Sequence, residues 1–192
     1  MEAMVGLVVL GLLMSSIYLL LVFSLRARRQ TEVFQEVHQQ VEVAMSKVGQ
    51  ELAGSKISTV SYGSSPYYVI FLSLEKGLDQ PDRSLYTYSG AGLPEWHKWV
   101  CFFLDESDHT LKRAEIELLP GPVTVPPAPA PPLLTDFQTS DTARTVARNI
   151  DQFEVVAGST LETVRLTITS QAMVNSDNAT ATTLSSEVRV QN

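Results

Sequence analysis

The chain has 192 residues, a net charge of −7 and a single cysteine, Cys101. Acidic side chains outnumber basic ones, so nucleic acid, whose phosphates require a concentrated basic surface, is not an expected partner. One cysteine excludes an intrachain disulfide and a thiolate metal cage. The length is sufficient for one domain with its own hydrophobic core.

The first 25 residues contain one charged side chain, Glu2, and the 23 residues from Ala3 to Leu25 contain none. A helix needs about 20 apolar residues to cross the hydrocarbon core of a bilayer, so residues 1–25 are predicted to span a membrane. The segment lacks the basic start and small-residue cleavage site of a secretory signal. It is therefore expected to stay attached to the mature protein.

Residues 26–54 are predicted to continue the same helix as an amphipathic stalk. Their apolar residues recur at spacings of three and four, which is the pattern of one helix face: Phe34, Val37, Val41, Met45, Val48 and Leu52. No proline occurs before Pro66, so nothing forces a break between the two halves. From Glu2 to Ala53 the helix would be about 78 Å long, and the run from Gly54 to Ser65 would end it.

Residues 55–119 are predicted to form a first β region. Residues 67–74 read as a strand, and residues 95–104 and 110–118 read as a hairpin around the turn DESDH. In the second hairpin strand, apolar Ala114, Ile116 and Leu118 alternate with charged Arg113, Glu115 and Glu117, which predicts one solvent-exposed sheet face. Four aromatic residues are predicted to lie in the sheet core with a buried Cys101: Trp96, Trp99, Phe102 and Phe103.

Residues 120–134 contain most of the ten prolines and are predicted to form an extended loop. In residues 135–192, the segment TARTVARNI is predicted to be a short helix, followed by antiparallel strands at QFEVVAG, ETVRLTITSQ and TLSSEVRVQ. The apolar face of these strands is expected to pack on the helix stripe. The predicted fold class is α+β, a long N-terminal helix packed against a small antiparallel β-sheet domain.

The chemistry-bearing residues do not form a recognisable active site. His38, His97 and His109 form no metal-ligand pair, and no phosphate-binding loop or nucleophile motif is present, so no enzyme activity, cofactor or metal is expected. Five loop acids could supply oxygen ligands to calcium, although solvated loop acids are the favoured interpretation: Asp79, Asp82, Asp105, Glu106 and Asp108. The NAT triplet at Asn178 matches a glycosylation acceptor, but the pattern is too short to carry weight.

Taken together, these features resemble the type IV pilin superfamily, in which a glutamate opens a long apolar helix that continues as a stalk under a small sheet. The resemblance rests on Glu2 with AMVGLVVLGLLM behind it. The aromatic hairpin, the proline-rich excursion, VARNIDQFEV, VRLTITSQ and the terminal SSEVRVQN are most similar to the J-type, PilW-like group of minor pilins and pseudopilins. The resemblance implies a structural subunit that helps assemble, prime or cap a type IV pilus or type II secretion filament.

The resemblance also implies partners and a location. The partners would be other pilin or pseudopilin subunits and inner-membrane lipid. The chain would cross the bacterial inner membrane once, with its C-terminal domain periplasmic or extracellular. In filament assembly, Glu2 would pair with the terminal amine of a neighbouring subunit, while the small residues Gly6, Gly11 and Ser15 would allow helices to approach closely. The alternative for Glu2 is a headgroup-level acid favoured by the helix dipole.

Members of this family carry a basic leader that a prepilin peptidase removes, and we expect such a leader to precede Met1. Without it, the cluster Arg26, Arg28 and Arg29 would place the domain in the cytoplasm by the positive-inside rule, whereas a basic leader would restore the family orientation. A second interpretation is a single-pass membrane-anchored extracytoplasmic binding module. In that case any other anchor could replace residues 1–25 without loss of function.

Overall fold

The computed structural model describes residues 2–64, 67–74, 89–118, 121–124, 130–175 and 178–190. One helix, α1, runs without interruption through 52 residues from Glu2 to Ala53. It is followed by two antiparallel sheets, so the α+β prediction and the continuity of the helix are both confirmed.

The five-stranded sheet has the order β1-β2-β3-β4-β5, and the three-stranded sheet has the order β6-β7-β8. The strands of the first sheet are β1 (Ser61–Ser64), β2 (Tyr67–Ser73), β3 (Lys98–Asp105), β4 (Thr110–Glu117) and β5 (Arg144–Arg148). Those of the second are β6 (Ile150–Ala157), β7 (Thr163–Asn175) and β8 (Asn178–Arg189). A single 3-10 turn (Ile57–Thr59) precedes β1, and a short helix α2 (Leu134–Gln138) precedes β5. The predicted hairpin is therefore β3–β4, and the three predicted C-terminal strands are β6–β8.

The predicted helix at TARTVARNI is wrong, because this segment contains β5. Its backbone pairs with β4, with Leu111 opposite Ala147, and Ala147 is buried in the core. Hydrogen bonding to the edge of β4 thus overrides the helical spacing of the local sequence. Asn149 then adopts a positive φ of 58°, at the point where the chain turns from β5 into β6.

The main core lies between the second half of α1 and the two sheets. Five α1 side chains are completely buried, Val37, Val41, Ala44, Val48 and Leu52, and the last four of them belong to this core. The helix packs on β7 and β8, so the expected contact between the helix stripe and the C-terminal sheet is confirmed. Phe34, which was predicted to belong to this stripe, is 49% exposed because the domain first covers the helix at Val37.

A second core lies on the opposite face of the five-stranded sheet. Trp96, Trp99, Cys101 and Phe103 pack there with Phe137 of α2, and Phe102 belongs to the main core on the other face. The predicted burial of these aromatic residues and of the cysteine is confirmed.

The predicted solvent-exposed face of β4 is wrong for Arg113 and Glu115, whereas Glu117 at the end of the strand is exposed as predicted. The side chains of Arg113 and Glu115 are only 18% and 5% exposed. Arg113 pairs with Glu51 at the end of α1, and Glu115 pairs with Lys98 of the neighbouring strand β3.

Candidate functional site

The apolar half of α1 lies outside the domain core. Most of its described large side chains are exposed, from Met4 at 78% to Phe23 at 74% and Leu25 at 58%, and Val22 is partly buried. The most apolar window of the helix has a mean hydropathy of 2.5, and none of it is buried inside the structure. The helix is thus long and apolar enough to cross a membrane, and this surface needs lipid or other helices to cover it.

Gly11 and Ser15, two of the predicted assembly residues, lie together on one face of this apolar half. The Ser15 hydroxyl donates a hydrogen bond of 2.9 Å to the carbonyl oxygen of Gly11, one helical turn earlier. The hydroxyl is therefore satisfied within the helix and can enter an apolar environment without a partner. A Cβ added at Gly11 would meet nothing within 4 Å, so this face is open to an approaching helix.

Gly6 lies on a different face from Gly11. Successive helix residues are rotated by about 100°, so five positions place Gly6 about 140° around the axis from Gly11. Gly6 instead shares a face with Glu2, four residues before it, at the residue where α1 begins. A Cβ at Gly6 would also meet nothing within 4 Å. The predicted assembly residues thus belong to two faces of the helix, Glu2 with Gly6 and Gly11 with Ser15.

The apolar half is joined rigidly to the domain. Between Arg26 and Val37 the helix continues unbroken, and from Val37 onward it is packed on the sheets. The Gln40 side-chain carbonyl accepts a hydrogen bond of 3.0 Å from the Arg148 backbone. At Gly49 the helix lies so close to β8 that an added Cβ would be 3.6 Å from the Val188 side chain.

A buried ion-pair cluster attaches the end of the stalk to the five-stranded sheet. Arg113 donates from Nε to both carboxylate oxygens of Glu51, at 2.9 and 3.0 Å. Arg113 also donates to Glu115, which accepts a second hydrogen bond from Lys98, each at 2.8 Å. Lys98 is 3% exposed, although it begins a strand that is otherwise almost entirely apolar. A lysine at the start of an otherwise apolar predicted strand is the sequence signal that could have revealed the cluster.

The two positive and two negative charges of this cluster stabilise one another. Burial raises the pKa of the Glu115 carboxyl, but the hydrogen bonds and charges of Lys98 and Arg113 outweigh it, so the pKa lies below its ordinary value. Burial lowers the pKa of Arg113, but Glu51 and Glu115 raise it more. Of these pairs, Arg113 with Glu51 is the one that joins the sheet to the stalk. Any other seating of the stalk would leave Glu51 without this partner, so the pair penalises a misplaced stalk.

The residues considered for metal binding do not converge within the described parts of the chain. No group of three or more His, Cys, Asp or Glu side chains there could hold a metal ion. Asp105 and Asp108 both face Lys112, at 2.5 and 3.8 Å, and Asp79 and Asp82 lie outside the described residues. His38 is paired with a carboxylate on its own helix, at 3.3 Å from Glu42.

Cys101 is completely buried, and burial raises the pKa of its thiol. Thiolate, not thiol, is the reactive form of cysteine. The side chain is therefore a small apolar core residue, as predicted, and not a nucleophile.

No family model, no curated protein and no solved structure matches this chain. Its function must therefore be inferred from its own residues and their geometry.

Proposed function

We propose that this protein is a minor pilin-like or pseudopilin-like structural subunit that helps assemble, prime or cap a type IV pilus or type II secretion filament. One observation carries the proposal. A single unbroken helix has an apolar half whose most apolar window is not buried in the structure, while its other half is packed and ion-paired onto a β-domain.

Rigid continuity favours assembly over simple tethering. A tether needs only a flexible linker between the membrane and the domain, and such linkers are rich in glycine, serine or proline. Here one helix runs from the apolar half into the domain. The position of the apolar half along a filament axis would therefore set the position of the domain. The open face at Gly11 and Ser15 suits the close helix packing that holds membrane helices together.

Glu2 would define the axial position. A carboxylate in hydrocarbon costs about 2.5–3.5 kcal/mol on insertion scales when it has no partner. A neighbouring terminal amine would remove that cost at one axial offset only, because any other offset leaves a charge unpaired. The pair would thus contribute register, and the apolar side chains would contribute cohesion.

The same proposal includes a location and a processing step. The helix would cross the bacterial inner membrane once, with the C-terminal domain periplasmic or extracellular and other pilin or pseudopilin subunits beside it. A prepilin peptidase would remove a leader upstream of Met1. Mass spectrometry of the N-terminal peptide from native cells tests this step: a methylated amine a few residues before Met1 supports it, and an unmodified start at Met1 contradicts it.

The test of the assembly role compares two changes of the same chemistry in the chain's own cells. Glu2→Gln should abolish recovery of the protein in the sheared filament fraction while its amount in the membrane fraction stays unchanged. Glu32→Gln is the matched control, since Glu32 is an exposed helix carboxylate outside the apolar run, paired only with Arg28 among the described ion pairs. Normal incorporation of the Glu2→Gln protein would refute the register role.

A substitution on the Gly11 face of the helix distinguishes the filament subunit from the second interpretation, an anchored binding module. Gly11→Leu should block incorporation, because it fills the space that an approaching helix needs. It should leave the isolated subunit intact, because nothing lies within 4 Å of the added side chain's first carbon. Ala27→Leu is the control for added bulk on the exposed helix. If an unrelated spanning helix in place of residues 1–25 preserves function, the binding module is correct.

A further inference from the structure

We propose that Arg26 and Arg29 form a binding site for the phosphate-bearing headgroup of an anionic phospholipid, on the leaflet that faces the domain. The inference requires only that the apolar half of α1 lies in a bilayer. It holds whether or not the chain enters a filament.

The two arginines lie on an exposed neck of the helix between the apolar run and the domain. Leu25 ends the uncharged run, and the first completely buried stalk residue is Val37. Eleven residues of helix lie between these two positions, which are about 18 Å apart at about 1.5 Å per residue. Arginine side chains on such a neck are free to extend toward the membrane surface.

Arg26 and Arg29 also share one side of the helix. They are three positions apart, so their side chains emerge about 60° from each other around the axis. Among the ion pairs of the described residues, Arg28 is held by Glu32 at 2.8 Å, and none involves Arg26 or Arg29. Two guanidinium groups thus face solvent at the level where the headgroups begin.

The surface at this level has the mixed character that a phospholipid requires. The exposed surface of α1 here combines two apolar residues with charged and polar ones: Val22, Leu25, Arg26, Arg28, Arg29, Gln30 and Glu32. Val22 and Leu25 can contact the upper part of an acyl chain, while guanidinium groups present paired donors that match phosphate oxygens.

The charge distribution along the chain favours an anionic headgroup over a zwitterionic one. Residues 26–29 carry three positive charges, whereas residues 30–192 carry 11 basic and 20 acidic side chains, a net charge of −9. An anionic membrane surface therefore attracts the neck and repels the domain. This difference would set the depth of the helix and hold the domain away from the lipid.

The test uses the full-length protein reconstituted in vesicles of equal parts phosphatidylethanolamine and phosphatidylglycerol. Native mass spectrometry then identifies and counts the lipids that remain bound when the protein is released from the vesicles. Each basic residue near an anionic surface contributes enough attraction for an enrichment of about fivefold, so the wild-type protein should retain phosphatidylglycerol well above its share of the vesicle. Arg26→Gln with Arg29→Gln should return the bound lipid to the vesicle proportion.

Two further variants keep the test decisive. Arg26→Lys with Arg29→Lys retains the charge and should retain most of the enrichment. Arg144→Gln with Arg148→Gln removes the same charge from exposed positions on β5 and should have no effect. Bound lipid at the vesicle proportion in the wild type, or undiminished enrichment in the Arg26 and Arg29 glutamine variant, would overturn the proposal.

Discussion

Glu115→Gln removes the central charge of the buried ion-pair cluster while it preserves the volume of the side chain. Lys98, only 3% exposed, then loses a partner at 2.8 Å, and Arg113 loses one of the groups that hold it. Removal of one partner from a buried pair typically costs about 3–5 kcal/mol. Because the amide oxygen of glutamine still accepts one hydrogen bond, we expect a loss near the lower value, about 3 kcal/mol, or more than a hundredfold in the unfolding equilibrium.

Urea unfolding of the full-length protein in detergent micelles measures this loss. The chain's two tryptophans, Trp96 and Trp99, are buried in the domain, so their fluorescence reports its unfolding without a contribution from the apolar half of the helix. Glu187→Gln is the matched control. Glu187 is also a strand carboxylate that accepts 2.8 Å from an arginine, but it lies on the outer surface of the sheet, where no measurable change is expected.

A double replacement separates the cost of an unpaired charge from the loss of a stabilising contact. Lys98→Met with Glu115→Leu removes both charges and leaves Arg113 paired with Glu51. Apolar replacement of a buried pair is often neutral, so this variant should recover most of the lost stability. Equal, small effects of the Glu115 and Glu187 variants, or a double variant no more stable than Glu115→Gln, would refute the reasoning.

Three further predictions concern the domain. Gly49→Ala should raise the free energy of unfolding by about 0.5–1 kcal/mol, because alanine favours a helix and its methyl group meets Val188 at ordinary contact distance; a lower urea midpoint would contradict this. Cys101 should resist maleimide at neutral pH in the folded protein and react in urea, and rapid labelling without urea would disprove its burial. Acid should destabilise the fold. Hydrogen bonds and nearby positive charges lower the pKa of Glu115 below the ordinary 4.5 and lower that of Asp105 from 3.8 to about 2. Both ionised carboxylates therefore stabilise the folded state fully above pH 4.5, and this stabilisation is lost as the pH falls. Tryptophan fluorescence that gives the same urea midpoint at pH 4.5 and near pH 2 would contradict the last prediction.

The long helix could be predicted because local sequence determines it. Apolar spacing of three and four, together with the absence of proline before Pro66, specifies a continuous helix without reference to any other segment. The point at which the domain begins to cover the helix is a tertiary property, so the spacing alone places Phe34 in the buried stripe although it is exposed. Ala44, completely buried in that stripe, has too small a side chain to contribute to the pattern.

The predictions for the β-domain are wrong where the local structure depends on distant segments of the chain. β5 is a strand because β4 offers its edge, and the helical spacing of its own residues cannot indicate that. Arg113 and Glu115 alternate with apolar residues as they would in a solvent-exposed sheet. Their partners are distant in the chain: Glu51 lies 62 residues before Arg113, and Lys98 lies 17 residues before Glu115.

The surface proposed for assembly, the apolar half of α1 with Glu2, Gly6, Gly11 and Ser15, is partly predictable from the sequence. Its apolar character and its small residues are visible in the sequence, but their division into two faces follows only when the helix is treated as straight and regular over Glu2 to Ser15. The neighbours that would cover these faces belong to other chains. No pattern within this sequence can specify them.

The most direct test of the assembly role is photo-crosslinking along the apolar half of α1 in the chain's own cells. A photoreactive residue is placed at each position from Gly6 to Leu25 in turn, and crosslinked products are separated by mass and identified. We predict crosslinks to other pilin-like subunits that recur with helical periodicity and include the face of Gly11 and Ser15. Crosslinks to lipid alone at every position, with no protein partner, would contradict the account and leave the helix as an anchor.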